Sequence, residues 1–386
     1  MYLAAVTGTN GKTTVVELTR QLLSFSGYTS ASLGTLGLIT DLRKEEHISL
    51  IGKYAVQDIL QELERVDEVN AVIFEAYSSC LENGYYGNID VNVAAFTNLS
   101  EDHLEYHRSY ESYRDAKLKL FTDILGANRS AVVNCDDELS NLILTICDNK
   151  SIDVVTYGKS EGAILRIIGS KPVERRSYIE IKYRNKRYRT LLPFIGDVFI
   201  IDWLCAVGIG IQAGIAIEHL LTVSDKLMLP PGRLEYVESF NSAEIFIDYA
   251  HNPDALKEIL LYLNKFAEGQ LHLVFGCGGD RDKRKRKKMG EIADLYADYI
   301  YITDDNPRSE SSREIRYSIL KGCKRGFEIE CRQEAIISAM NALEQGDILL
   351  IAGKGHETYQ LKNNGQKRLS DRELVLNQIK GEKLCS

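Results

Sequence analysis

Short apolar runs alternate along this chain with stretches in which apolar residues return every three or four positions. Tyr2–Val6, Ala71–Phe74, Val91–Phe96, Ser130–Asn134 and Asp153–Tyr157 have the length and residue types of buried strands. Val15–Phe25, Tyr54–Val66 and Tyr110–Ile124 carry helical patterns. The alternation predicts an α/β fold whose mostly parallel sheet has helices on both faces. Tyr178–Tyr183 and Lys186–Leu192 alternate polar with apolar residues around Arg184-Asn185, which predicts a hairpin. Pro230-Pro231-Gly232 breaks a helical stretch and marks a linker, giving an expected first domain over 1–232 and a second over 233–386. That second part opens a new series of strands: Glu244–Ile247, Leu271–Phe275, Tyr299–Ile302 and Asp347–Ile351.

Composition narrows the class. At 386 residues the chain exceeds one ordinary core and suits two or three domains. A formal net charge of −8 argues against a nucleic-acid partner. The eight cysteines (80, 135, 147, 205, 277, 323, 331, 385) contain no C-x-x-C pair, as expected of reduced thiols. The most apolar stretch, Trp203–Ile217, is about 15 residues long and too short to span a bilayer. No signal peptide precedes the first strand, so a cytoplasmic protein with no membrane partner is expected.

Candidate chemistry gathers at strand ends, where sheets of this kind bind ligands. Thr7-Gly8-Thr9-Asn10-Gly11-Lys12-Thr13-Thr14 runs from the first strand into a helix. Free N–H groups, the helix dipole and the Lys12 cation make such a turn an anion site, and Thr13 offers a hydroxyl to Mg²⁺. Val6 stands where the common phosphate-loop pattern has its first Gly, so this is a shortened variant. Ala71–Phe74 ends in Glu75, a carboxylate suited to Mg²⁺ beside a triphosphate, although a Glu after a strand is usually just solvated. In Thr97–His107, Ser100 is the expected helix cap; His103 and His107 stand four apart without the Glu of a zinc-protease motif. Lys117 reads by default as a surface lysine. Lys283–Lys288 is a charge run, for which a solvated face is the expected reading.

These motifs, in this order, resemble the Mur ligases, the ATP-dependent peptide-bond formers of peptidoglycan precursor synthesis, and specifically the MurE type. The resemblance covers essentially the whole chain. Beyond the loop it rests on Thr97–His107, Gly232-Arg233, Asp248–Asp254, Phe275–Asp282, Asp305-Asn306-Pro307-Arg308 and Ala352–Gln360. It implies a central P-loop ATPase domain followed by a C-terminal, Rossmann-like amino-acid-binding domain. It also implies ATP and Mg²⁺ as cofactors and small molecules as partners. Gly8 through Thr14 (Gly8, Thr9, Asn10, Gly11, Lys12, Thr13, Thr14) would hold the phosphates, with Arg233 and Asp248 also on the nucleotide. Thr13 would hold a first Mg²⁺ and Glu75 and His103 a second, and Lys117 falls where the family carries a carbamylated lysine that orients Mg²⁺ near the γ-phosphate. Arg281, Asp305, Asn306, Arg308, Gly353 and Glu357 match the pocket for meso-diaminopimelate. The Asn-Pro-Arg form is diagnostic, because Arg offers a planar fork to the distal carboxylate.

The departures fall on the other substrate. The family carries a domain of about 100 residues for the uridine nucleotide before the loop, and here nothing precedes it. The family's Thr-Thr-Pro-Asp acceptor loop corresponds to Ile51-Gly52-Lys53-Tyr54. After Glu75 the family's Val-Ser-Ser-His becomes Ala76-Tyr77-Ser78-Ser79, and its Gln and Arg become Asn83 and Tyr85. Both Asn of the family's Gly-x-x-Asn-x-x-Asn helix start are replaced, by Phe199 and Asp202; Phe199 reads as core. The expected function is therefore an ATP-dependent ligase that adds a diaminopimelate-like amine to an acceptor other than the standard UDP-muramoyl dipeptide. A separate acceptor-binding protein is one conceivable partner. The ordinary diaminopimelate-adding ligase and an inactive nucleotide-binding subunit are the alternatives; a folylpolyglutamate-synthase-like ligase fits Asp305–Arg308 poorly.

Overall fold

The computed structural model describes residues 1–45, 55–66, 68–87, 89–363 and 365–381. The expected acceptor segment Ile51–Tyr54 lies outside the described residues. The chain divides into two compact units, Met1–Pro230 and Pro231–Ser386.

The first unit is built on an eleven-stranded sheet. Tyr2–Thr7 sits at its centre, parallel to Ala71–Glu75 on one side and to Val93–Phe96 on the other. Ser130–Asn134 and Asp153–Gly158 continue the parallel series. These strands are apolar on both faces because helices cover both, as a parallel sheet requires. The hairpin forms as expected, Arg176–Tyr183 against Lys186–Leu192, and it joins the same sheet through Leu165–Val173. At the other edge an unforeseen hairpin, Ser30–Gly34 and Gly37–Thr40, packs beside Ala71–Glu75.

Two helices depart from expectation. The first begins at Lys12 rather than Val15, so the last residues of the phosphate loop are already its first turn. The Tyr110–Ile124 pattern is α-helical only over Tyr110–Lys119, then widens into a π-turn at Leu120–Ile124. Helix Asp197–Gln212 is apolar on nearly every side because it is buried, Trp203 fully and Phe199 to 4% exposure.

The second unit has a six-stranded sheet, parallel except for the edge strand Glu235–Phe240. Ala243–Asp248, Ile348–Ala352 and Leu271–Phe275 form its centre. The carboxyl ends of these strands lead directly into Asp248–Asn252, Gly353–Gln360 and Gly276–Asp282. Among the described residues no helix is long and apolar enough to cross a membrane, and seven cysteines are free.

Candidate active site

The phosphate loop is held by the neighbouring strand's exit. Thr97 Oγ1 donates to the Asn10 carbonyl at 2.6 Å, the Asn98 side chain accepts from the Asn10 N–H at 2.9 Å, and the Thr9 N–H reaches the Asn98 carbonyl at 2.8 Å. Thr97 and Asn98 were not singled out as site residues from sequence. The signal was topological: Phe96 pairs with Thr7, so the next residues must meet the loop. The close approach explains Gly8, where any Cβ would overlap Thr97 Oγ1. Gly11 is the helix N-cap at φ +85°, a left-handed backbone that suits Gly, with the Asp202 carboxylate directly against it. Lys12 Nζ folds onto the Gly8 and Thr9 carbonyls at 2.9 and 2.8 Å. Thr14 is buried in the first helical turn.

Ser100 does not cap the following helix. Its backbone is engaged by Thr9 Oγ1, which accepts from the Ser100 N–H at 3.0 Å and donates to its carbonyl at 3.2 Å. The helix, Leu104–His107, starts instead after His103 at φ +54°.

Thr13 and Glu75 are brought together, with Thr13 Oγ1 donating to Glu75 Oε1 at 2.9 Å. The carboxylate is 1% exposed. A hydroxyl and one carboxylate beside substrate phosphates is a donor set that fits Mg²⁺, which keeps few protein ligands. His103 is placed differently. Its ring is 45% exposed and stands 3.7 Å from Glu105 and 4.0 Å from Asp102. Among the described residues no group of three or more His, Cys, Asp or Glu is arranged to hold a metal.

Lys117 is not a surface lysine. It is 2% exposed, with Nζ donating to the Gly8 carbonyl at 2.7 Å. Burial, and then the Lys12 charge, push its ammonium well below the usual lysine range, with Asp102 acting in the opposite sense. Tyr113 ties this group together, and sequence gave no hint of it. Its ring faces Lys117 Nζ at 4.3 Å and packs against both His103 and His107, and its hydroxyl lies 3.3 Å from Thr9 Oγ1.

Among the residues expected to face the acceptor, the Tyr77 hydroxyl lies 3.2 Å from Thr35 Oγ1. Ser78 Oγ lies 2.9 Å from His107 Nε2, and Asn83 Nδ2 donates to the Tyr106 hydroxyl at 2.6 Å. Tyr85 packs against the apolar core.

The second unit gathers its candidates at one sheet end. Asn306 Nδ2 donates to Glu357 Oε2 at 2.6 Å, while its Oδ1 accepts from the Leu361 N–H at 2.8 Å. Burial and the neighbouring Asp305 raise the Glu357 carboxyl, against Lys354, Asn306 and Arg308, which lower it. Arg308 donates to the Gly279 carbonyl at 2.9 Å. Gly278 borders both Arg308 and the stem of the exposed Arg281, and Gly353 borders Asp305. Arg233 stacks on the Tyr249 ring at 4.6 Å. Asp248 is 4% exposed and accepts from the Leu234 and Ala250 N–H groups, both at 2.7 Å. Burial raises its carboxyl, offset by Arg233 and these bonds.

The charge run Lys283–Lys288 is not wholly a solvated face. Lys285 and Arg286 are buried, and Arg286 pairs with Glu310 at 2.8 Å, holding that carboxyl down at about 2. Helical periodicity turns two of six consecutive cations inward.

Comparison with known proteins agrees with this layout. Residues 6–210 match the Mur ligase middle domain, and residues 232–355 match the Mur ligase, glutamate ligase domain. A UDP-N-acetylmuramoyl-L-alanyl-D-glutamate–2,6-diaminopimelate ligase of Zymomonas mobilis is 39% identical over 367 residues, 94% of this chain and 75% of that one. The enzyme of the same name from Bradyrhizobium diazoefficiens is 39% identical over 97% of this chain and 78% of its own. A solved structure of a ligase so named superposes with a TM-score of 0.69 at 32% identity, covering 99% of this chain and 78% of that one. Mycobacterium tuberculosis folylpolyglutamate synthase, at 17% identity, superposes with a TM-score of 0.74 over 91% of this chain and 88% of its own, a likeness of fold alone.

Proposed function

The chain belongs to the Mur ligase family of ATP-dependent ligases, and on that premise we propose that it joins meso-diaminopimelate to the D-glutamyl carboxylate of UDP-N-acetylmuramoyl-L-alanyl-D-glutamate in the cytoplasm. The observation that carries this reading is the identity of 35–39% over nearly the whole chain to relatives that all bear that name. It moves the preference away from a non-standard acceptor and towards the ordinary one.

The chemistry is two displacements. An acceptor carboxylate oxygen attacks the γ-phosphorus of ATP, the bond to the β,γ-bridging oxygen breaks, and ADP leaves an acyl phosphate. The amine of diaminopimelate then attacks the acyl carbon, loses a proton, and expels inorganic phosphate. Gly8–Thr14 cradle the phosphates through backbone N–H groups, and Lys12, freed from its own loop carbonyls, neutralises the transferring group. Thr13 and Glu75 would hold Mg²⁺, which when bound spreads the charge of the γ-phosphate. A lysine held towards its neutral form is a nucleophile for CO₂, so Lys117 is suited to become a carbamate facing the same phosphate. Asp248 and Arg233 are assigned to the nucleotide. Arg308 and Arg281 are assigned to the carboxylate ends of diaminopimelate, and Asn306, Glu357, Asp305 and Gly353 to its polar groups.

A different acceptor is the second reading, favoured by Tyr77, which brings a phenol where the resemblance expects a small Ser. The deciding experiment measures phosphate release with ATP, Mg²⁺, meso-diaminopimelate and the UDP-muramoyl dipeptide. Turnover is expected; silence with this acceptor and turnover with another carboxylate would reverse the preference. An inactive subunit would show no turnover with any acceptor.

A further inference from the structure

Glu75 is held by more than its metal-facing partner. Its Oε1 accepts from Thr13 Oγ1 at 2.9 Å and from the Thr35 N–H at 2.8 Å, and its Oε2 accepts from Thr35 Oγ1 at 3.1 Å. Thr35 sits in the turn between Ser30–Gly34 and Gly37–Thr40, the hairpin that no sequence pattern announced. A carboxylate only accepts, and a hydroxyl has one proton to give. Thr35 therefore spends its proton on Glu75, and its 3.2 Å bond with the Tyr77 hydroxyl must run from Tyr77 to Thr35. The chain is polarised: Tyr77 O–H to Thr35 Oγ1, and Thr35 O–H to Glu75 Oε2. Its far end is anchored as well. The Tyr86 hydroxyl donates to the Glu75 carbonyl at 3.0 Å and accepts from the Tyr77 N–H at 2.9 Å, which fixes the backbone between the two.

We propose that Thr35 and Tyr77 are positioning residues for the metal carboxylate, with Tyr77 linking the acceptor side of the site to the orientation of Glu75. Partners of this outer kind fix a ligand's rotamer and its charge distribution, and losing one costs about 10–100-fold in metal affinity. Tyr77 is thus more than a bulkier wall where a small residue is expected. It adds a second link to the chain of hydrogen bonds that ends on Glu75. The inference rests on the reading that Glu75 holds Mg²⁺.

The test uses the full-length protein with ADP and measures Mn²⁺ affinity by the loss of free-ion electron paramagnetic resonance signal, beside the KM values. Glu75→Gln should abolish specific Mn²⁺ binding. Thr35→Val should weaken it about 10-fold and Tyr77→Phe about threefold, while Thr35→Ser, which keeps the hydroxyl, retains wild-type affinity. The KM for diaminopimelate should stay unchanged in all three Thr35 and Tyr77 variants. Wild-type Mn²⁺ affinity in both Thr35→Val and Tyr77→Phe, with Glu75→Gln defective, overturns the inference alone. Wild-type affinity in Glu75→Gln overturns the metal reading and the inference with it. Melting curves separate unfolding from loss of metal, and Tyr77→Phe removes a single oxygen.

Discussion

The phosphate loop of the first unit and the strand-end cluster of the second are both proposed anion sites, and they are made of different material. The loop works through backbone. Its shape is imposed by Thr97, Asn98 and Ser100, its glycines are there because nothing larger fits, and its charged side chains are few. The cluster works through side chains. Asn306 holds Glu357, Lys354 is fully buried 3.5 Å from that carboxylate, and Arg308 is hung from a loop carbonyl. A backbone site is specified by shape and fails by steric intrusion. A side-chain site is specified by charge balance and fails when one member is removed, because the others are left buried and unpaired.

That contrast predicts unequal responses. Lys12→Ala deletes the loop's one cation beside the transferring phosphate and should lower kcat by about 10²–10³, the cost of one missing donor to developing charge. Because phosphoryl transfer from ATP precedes attack by the amine in the proposed sequence, diaminopimelate cannot compensate at any concentration. A loss recovered by saturating diaminopimelate would erase the distinction between the regions.

Lys117→Met should be nearly as damaging to turnover, about 10²-fold, yet it should stabilise the first unit. Unfolded Lys117 titrates near 10.4, and in the fold burial lowers that value. Between the two values the unfolded chain holds more protons, so stability rises with pH across that window, and the cost of burial is fully present below the folded value. The Met variant lacks this titration. In CO₂-free buffer it should melt higher at neutral pH, by about 2–4 °C for each kcal/mol recovered, with a flatter pH dependence up to about pH 10. Parallel melting curves for the two proteins would show that Lys117 carries no such cost.

Arg308→Ala tests the other side of the comparison. A charge-assisted bond of this kind contributes about 1.5–3 kcal/mol, so the KM for diaminopimelate should rise about 10–100-fold while that for ATP holds. Arg308→Lys should recover little, since an ammonium cannot reproduce the fork. Equal weakening of both substrates would mean that the cluster is not a separate amino-acid site.

The same contrast decides what was legible in the sequence. A contiguous loop between a strand and a helix announces itself, because Gly, Lys and Thr at fixed spacing have one physical use together. The doubly wound architecture was equally plain from the alternation of Val, Ile and Phe runs with helical periods. Residues acting across strands were not. Tyr113 and Thr35 look like ordinary positions until Lys117 and Glu75 are brought against them by folding. Exposure was misjudged for a related reason: Lys117 and Arg286 are charged, and composition alone assigns charge to the surface. Each is buried because a partner exists elsewhere in the chain, the Gly8 carbonyl for one and Glu310 for the other. The resemblance singled out Lys117 where residue chemistry had read a surface lysine, and folding sets His103 beside Glu105 and against the Tyr113 ring.

Asp202 gives the smallest and sharpest break. It occupies a position where the resemblance expects an amide, and its carboxylate lies directly against Gly11 at the helix N-cap, 6% exposed. In an empty loop a carboxylate there is comfortable, since a helix N-terminus favours negative charge. With a triphosphate in the loop the same carboxylate faces like charge. Asp202→Asn keeps the shape and removes the charge, so it should lower the KM for ATP by about threefold or more. Diaminopimelate binding should not respond. A rise in the ATP KM would mean instead that Asp202 accepts a hydrogen bond from the nucleotide, and that this backbone-made site has taken one side chain into its specificity.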